Sequence, residues 1–120
     1  MFVYRKELEK EDLGGGVMMQ YLGCSNNLNV LHWNIEDGGK VELHRHENEQ
    51  FGYVIEGGFD MIIGGERKTL GAGDSYFIPA NEPHGFVAIG ETEAIDVFSP
   101  FRPELPGKHK DIRPFKQTSR

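Results

Sequence analysis

Apolar and polar residues alternate with a period of two along much of this chain, as they do on half-buried β-strands. The runs V-E-L-H-R-H at 41–46 and A-I-D-V-F-S at 94–99 are clear cases. Shorter or less regular runs of strand-like composition occupy 17–22, 28–35, 51–56, 59–63, 66–70, 75–79 and 85–89. Turn signals separate them: Glu36-Asp37-Gly38-Gly39, then Gly57-Gly58 and Gly64-Gly65, both of which read as hairpins. Strands that recur about every 8–12 residues predict an all-β sandwich or barrel. Residues 8–12 are too charged and too few for more than a single turn, and Gly14-Gly15-Gly16 then breaks the chain. The same periodicity predicts which side chains share a face. Glu42, His44 and His46 fall on one face, with Val41 and Leu43 on the other. Asp96 and Phe98 share a face, with Ile95 and Val97 opposite.

Composition agrees with many short strands. Gly makes up 16 of 120 residues, about twice the usual ~7 %. The length predicts one domain over 1–120, with a barrel core at about 16–101 and a tail at 103–120. A net charge of -6 and a pI near 5.3 argue against nucleic acid or an anionic membrane as partner. The charge is uneven: 102–120 carries 6 basic and 2 acidic residues. This tail reads as irregular, solvated or packed on a neighbouring subunit in preference to binding an anionic partner through its basic run, with His109 exposed. The single cysteine, Cys24, permits no intrachain disulfide and reads as a small buried thiol beside a turn. No apolar run approaches the roughly 18–20 residues of a membrane span. The start, M-F-V-Y-R-K-E-L-E-K-E-D, lacks an apolar signal-peptide centre, so a cytoplasmic protein is expected.

The candidate chemistry lies in two segments. His44, His46 and Gln50 occupy G-G-K-V-E-L-H-R-H-E-N-E-Q, and His84 closes G-D-S-Y-F-I-P-A-N-E-P-H. Two imidazoles at i, i+2 on a strand can converge on one ion. Glu47-Asn48-Glu49 can turn the chain back so that the Gln50 amide oxygen supplies a third ligand, and Pro83 fixes the backbone entering His84. Three neutral nitrogens and an amide oxygen suit one divalent transition metal, whether Zn, Ni, Mn, Fe or Co, with one or two positions open. Glu49 is the competing carboxylate ligand; spacing favours Gln50, because neighbours on a strand face opposite ways. His32, beside Trp33, reads as structural or at a pocket edge. Tyr53 and Tyr76 read as core or pocket lining.

At these residues the chain resembles the cupins. Their first motif, G-x5-H-x-H-x3,4-E-x6-G, is met by Gly38, His44, His46, Gln50 and Gly57, with Gln in place of Glu. Their second, G-x5-P-x-G-x2-H-x3-N, is met by Gly73, Pro79 and His84, with Asn81 for Gly and Ala88 for Asn. The resemblance implies a jelly-roll β-barrel of six to eight strands in an antiparallel double sheet, with the metal inside. It also implies a homodimer joined through sheet faces or exchanged N-terminal strands. A-I-D-V-F-S-P-F-R at 94–102 is further similar to the last barrel strand of pectin degradation proteins, which open the ring of 4,5-unsaturated uronates. That similarity implies that Asp96, Phe98 and Arg102 line the pocket.

Together these features lead to a metal-dependent enzyme that opens or tautomerises a small carboxylated sugar. Asp96 would be its acid–base group, Arg102 the anchor for the substrate carboxylate, and Phe98 an apolar wall. A Gln ligand in place of Glu leaves the site more positive, which suits Lewis-acid chemistry on an anion. The same scaffold also accommodates a non-haem iron dioxygenase, a sugar isomerase or a polyketide cyclase. A metal- or ligand-binding sensory module is the non-enzymatic alternative, and fold alone does not choose among these.

Overall fold

The computed structural model describes residues 2–102; the basic tail at 103–120, with Glu104 and His109, lies outside them. Among the described residues a 3-10 turn at Arg5–Glu7 precedes ten strands. These are β1 Glu11–Asp12, β2 Val17–Cys24, β3 Asn29–Ile35, β4 Lys40–His44, β5 Glu49–Glu56, β6 Gly58–Ile63, β7 Glu66–Gly71, β8 Ser75–Ile78, β9 His84–Ala88 and β10 Thr92–Ser99. Every run read from the sequence pattern is a strand, with ends that differ by at most two residues. The strand not anticipated is β1, where Glu11 and Asp12 pair with Met19 and Met18. Its two charged residues carry no alternation, so only pairing with β2 reveals it. The total of ten exceeds the six to eight implied by resemblance, and β1 is a two-residue addition at a sheet edge.

The strands form two antiparallel sheets, a six-stranded one in the order β1-β2-β3-β10-β5-β8 and a four-stranded one in the order β4-β9-β6-β7. Their inner faces meet in an apolar core that includes Met19, Leu31, Val54, Phe59, Ile78 and Phe98, all nearly or fully buried. Burying one such side chain contributes about 1.5–3 kcal/mol. No helix among the described residues is long and apolar enough to cross a membrane.

The two Gly-Gly signals have different outcomes. Gly64 and Gly65 have φ of 56° and 82° and join β6 to β7, which pair along their full length. Positive φ at both residues is the requirement of a two-residue hairpin. Gly57-Gly58 is not a hairpin, because β5 belongs to the six-stranded sheet and β6 to the four-stranded one. There the chain crosses between layers. A Cβ on Gly57 would collide with the Glu91 carbonyl, and one on Gly58 with the Leu70 carbonyl. These glycines serve close backbone approach, a need the sequence pattern does not distinguish from a turn.

Registers bring several strand ends to one end of the sandwich. His44 pairs with His84, Ile63 with His84, Phe98 with Gln50, and Gln50 with Ile78. The candidate site lies there.

Candidate metal centre and active site

β4 does not run regularly into the site. Val41 pairs with Phe86 and His44 with His84, so β4 advances three residues while β9 advances two. That extra residue is a β-bulge, which re-aims side chains. Val41 and His44 both line the interior cavity, whereas Glu42 and Leu43 are exposed. The expected common face of Glu42, His44 and His46 is therefore corrected. His46 lies beyond the strand, in the connection at 45–48. Long-range contacts fix it there. The Asn81 N–H donates to the His46 carbonyl at 2.7 Å, and the Asn48 side chain donates to the Pro100 carbonyl. Asn81 has φ of 65°, a left-handed conformation that Asn tolerates better than most residues. It thus fills the position where the cupin motif has Gly.

The candidate ligand atoms of His44, His46 and His84 all lie within 4.8 Å of one another. Each Nδ1–H donates to a backbone carbonyl: His44 to Glu42 at 2.8 Å, His46 to Asn48 at 3.1 Å, and His84 to Glu82 at 2.8 Å. Such bonds fix the tautomer and leave Nε2 as the lone-pair donor. Nε2 of His46 and of His84 is buried without a hydrogen-bond partner. Burial lowers the His84 pKa to about 4, with His44, His46 and Arg102 adding to the effect against a backbone bond from Glu82. Burial and the Arg102 charge lower that of His46 as well. Both rings are neutral at pH 7, the form that binds metal. Buried lone pairs aimed at a common point otherwise carry a desolvation cost, so the cluster fits a divalent ion.

Gln50 and Asp96 adjoin this cluster. Gln50 is buried while Glu49 is exposed, so Gln50 is the neighbour whose side chain reaches the cavity. Its Nε2 donates to Asp96 Oδ2 at 2.5 Å, and its Oε1 is buried with no partner. A carboxylate accepts only, so Asp96 dictates that the amide nitrogen faces it. A Glu at this position would set two carboxylates against each other, a physical reason for Gln where the motif has Glu. The other Asp96 oxygen accepts from the Tyr76 hydroxyl at 2.5 Å. Asp96 is only 3 % exposed, and burial raises its pKa to about 6 against the lowering effect of Tyr76, Gln50 and Trp33. The Trp33 indole N–H acts on the carboxylate without hydrogen-bond geometry. Burial, then the Asp96 charge, raises Tyr76 well above the usual phenol range, so it remains a donor.

The cavity measures about 50 Å³ and is also lined by Met61, Phe86, Phe98 and Arg102. That is room for an ion and a few waters. The Phe98 ring packs edge-on against His46 at 5.6 Å, and the Arg102 guanidinium lies 5.3 Å above Phe98. The Arg102 backbone N–H donates to Asn29 Oδ1 at 2.7 Å, which fastens it to the start of β3. All seven residues singled out from the sequence thus gather at one end of the sandwich. His32 lies elsewhere. It faces outward, buried, and pairs with Glu93 at 2.6 Å. Tyr53 is also outside, 45 % exposed, which corrects its reading as core or pocket lining. Cys24 is buried, as expected.

Three contributors escaped the sequence reading. The hydroxyl of Tyr76, Asn48 and Asn29 each act on a partner 20 to 73 residues away. No local pattern marks them, and only strand register and loop packing bring them into place.

Comparison with known proteins agrees with this architecture. Residues 31–98 match the cupin domain model. The pectin degradation protein KdgF of Dickeya dadantii is 34 % identical over 97 residues, 79 % of this chain and 88 % of that protein. An RmlC-like cupin from Shewanella frigidimarina superposes with a TM-score of 0.83 at 37 % identity, covering 86 % of this chain and 93 % of that one. KdgF from Halomonas sp. superposes with a TM-score of 0.82 at 29 % identity, covering 87 % and 96 %. On its two sheets, its paired histidine segments and these matches, the chain belongs to the cupin family.

Proposed function

We propose that this cupin is a metal-dependent enzyme that opens the ring of a 4,5-unsaturated uronate. The observation that carries this reading is the Asp96 carboxyl, buried in a cavity that His44 and His84 also line, with His46 completing a cluster of three imidazoles, and with a pKa raised to about 6. A group that gains and loses a proton near neutrality suits acid–base work. Similarity to a pectin degradation protein points to the substrate class.

His44, His46, His84 and Gln50 Oε1 would hold the metal. A bound divalent ion supplies Lewis acidity, stabilising negative charge on substrate oxygen. Asp96 takes the proton from the anomeric hydroxyl as the bond between C1 and the ring oxygen breaks. C1 becomes an aldehyde and C5 an enolate. The carboxyl of Asp96 then returns the proton to C4, leaving a ketone at C5, so the reaction is an isomerisation with no net loss of atoms. Arg102, half-buried at the cavity, pairs with the substrate carboxylate through its planar fork. Phe98 supplies an apolar wall.

The direct test is loss of the enol-ether absorbance of unsaturated galacturonate and guluronate on adding metal-replete protein. Rates above the spontaneous reaction are expected. No acceleration overturns the reading, and oxygen uptake with an aromatic diol or thiol would replace it with dioxygenase chemistry. A homodimer through the outer face of the six-stranded sheet is part of the proposal, supported by its exposed Phe51, Tyr53, Ile55 and Phe77.

A further inference from the structure

Asp96, Gly52 and Tyr76 form one row across three neighbouring strands. Asp96 of β10 pairs with Gly52 of β5, and Gly52 pairs with Tyr76 of β8. All three face inward. Strands two apart are separated by about 9.5 Å, and any side chain on the middle strand would stand in the way. At Gly52 there is none. A Cβ there would overlap the Tyr76 Cζ, Cε2 and hydroxyl oxygen, so the Tyr76 ring lies directly over the glycine. This lets its hydroxyl cross β5 and donate to Asp96 Oδ1. Asp96 is then held from two sides, by Tyr76 on one oxygen and by Gln50 Nε2 on the other. Because Asp96 receives the amide nitrogen, the unpartnered Gln50 Oε1 is left to the imidazole cluster.

We propose that Tyr76, laid over Gly52, is a positioning residue that holds Asp96 and, through it, aims the Gln50 oxygen at the three imidazoles. The proposal deepens the reading above and rests on its assignment of Gln50 as a metal ligand. Gly52 is integral to the device, since its missing side chain is what gives the Tyr76 hydroxyl its path.

The test is Co²⁺ affinity by calorimetry in the wild-type protein, Tyr76→Phe, Gln50→Ala and the double variant. Tyr76→Phe keeps the ring over Gly52 and removes only the hydroxyl. A loss of roughly tenfold is expected, the lower end of what an outer-shell partner contributes to metal affinity. In the Gln50→Ala background the same substitution should change affinity by less than about twofold, because coupled residues lose their effect once the link is gone. Unchanged affinity in Tyr76→Phe overturns the proposal, as does an equal loss in both backgrounds. Gly52→Ala should reproduce the loss, and where it fails to fold the Tyr76→Phe series decides alone. A wild-type protein that binds no Co²⁺ overturns the metal assignment itself. A wild-type protein that binds Co²⁺ but turns over no uronate overturns the substrate reading and leaves the positioning test intact.

Discussion

Most of the inner face of the six-stranded sheet is apolar core, but near the site its two faces invert the usual rule of apolar inside and polar outside. On β5 the inward residues near the site are Gln50 and Gly52, and the outward ones are Phe51, Tyr53 and Ile55. Inside, Gln50 and Asp96 are 7 % and 3 % exposed. Outside, Phe51 and Phe77 are 48 % and 52 % exposed. Buried polar groups carry a desolvation cost unless partnered. The inner ones are tied into the chain Tyr76–Asp96–Gln50, with lone pairs of Gln50, His46 and His84 left over. Exposed aromatic side chains gathered on one face are a common feature of interaction surfaces. On the proposed reading the inner face would hold an ion and a proton, and the outer face would serve association.

Removing an inner ligand should separate the two faces most sharply. His84→Ala is expected to lose stoichiometric metal, read by elemental analysis, and to cost more than the ~10–100-fold associated with outer-shell partners. Assembly state, read by sedimentation, should be unchanged. Retention of full metal content by this variant would break the assignment of the inner face.

Asp96→Asn tests the same face without removing any of the four proposed ligands, although Asp96 accepts from Gln50. Turnover is expected to fall by ~10²–10⁴ with metal content intact. Stability supplies a second readout in the metal-free protein. The Asp96 pKa rises from 3.8 to about 6 on folding, so the native state holds this proton more tightly than the unfolded chain. Its stabilising contribution is complete below pH 4 and is lost as pH climbs through about 6. The variant lacks that loss, so its melting temperature should gain on wild type between pH 4 and pH 7. Parallel melting curves across that range would contradict the raised pKa.

For the outer face, Phe51→Glu combined with Phe77→Glu is expected to yield monomers by sedimentation while metal affinity stays within about twofold of wild type. A wild-type protein already monomeric at micromolar concentration would remove the association role. The smallest effect is expected at Arg67, whose bidentate bonds to Asp60 lie on the exposed margin of the other sheet. Arg67→Ala should leave thermal melting unchanged, because exposed ion pairs are screened by water and salt.

Much of this was legible in the sequence, for identifiable reasons. Alternation of apolar and polar residues is a property of each strand alone, so nine strands could be read directly. The inward face shared by Asp96 and Phe98 followed from the same two-residue period. The histidine spacing is also local, and it singled out the residues that now cluster within 4.8 Å. Periodicity failed at 41–46, where the bulge against β9 shifted His44 relative to Glu42 and put His46 off the strand. It failed at Tyr53, where a strand with aromatic residues on its exposed face looks like one facing a core.

The sequence by itself determined the strand rhythm, the family and the residues able to carry chemistry, because each depends on neighbours along the chain. Tertiary structure alone decided how those residues are aimed. The bulge arises only when β4 pairs with β9, and Gly57 becomes a crossing only when β5 and β6 enter different sheets. Tyr76 reaches Asp96 only because register sets Gly52 between them. Register is a relation between distant segments, and a single strand carries no record of what its partner leaves out.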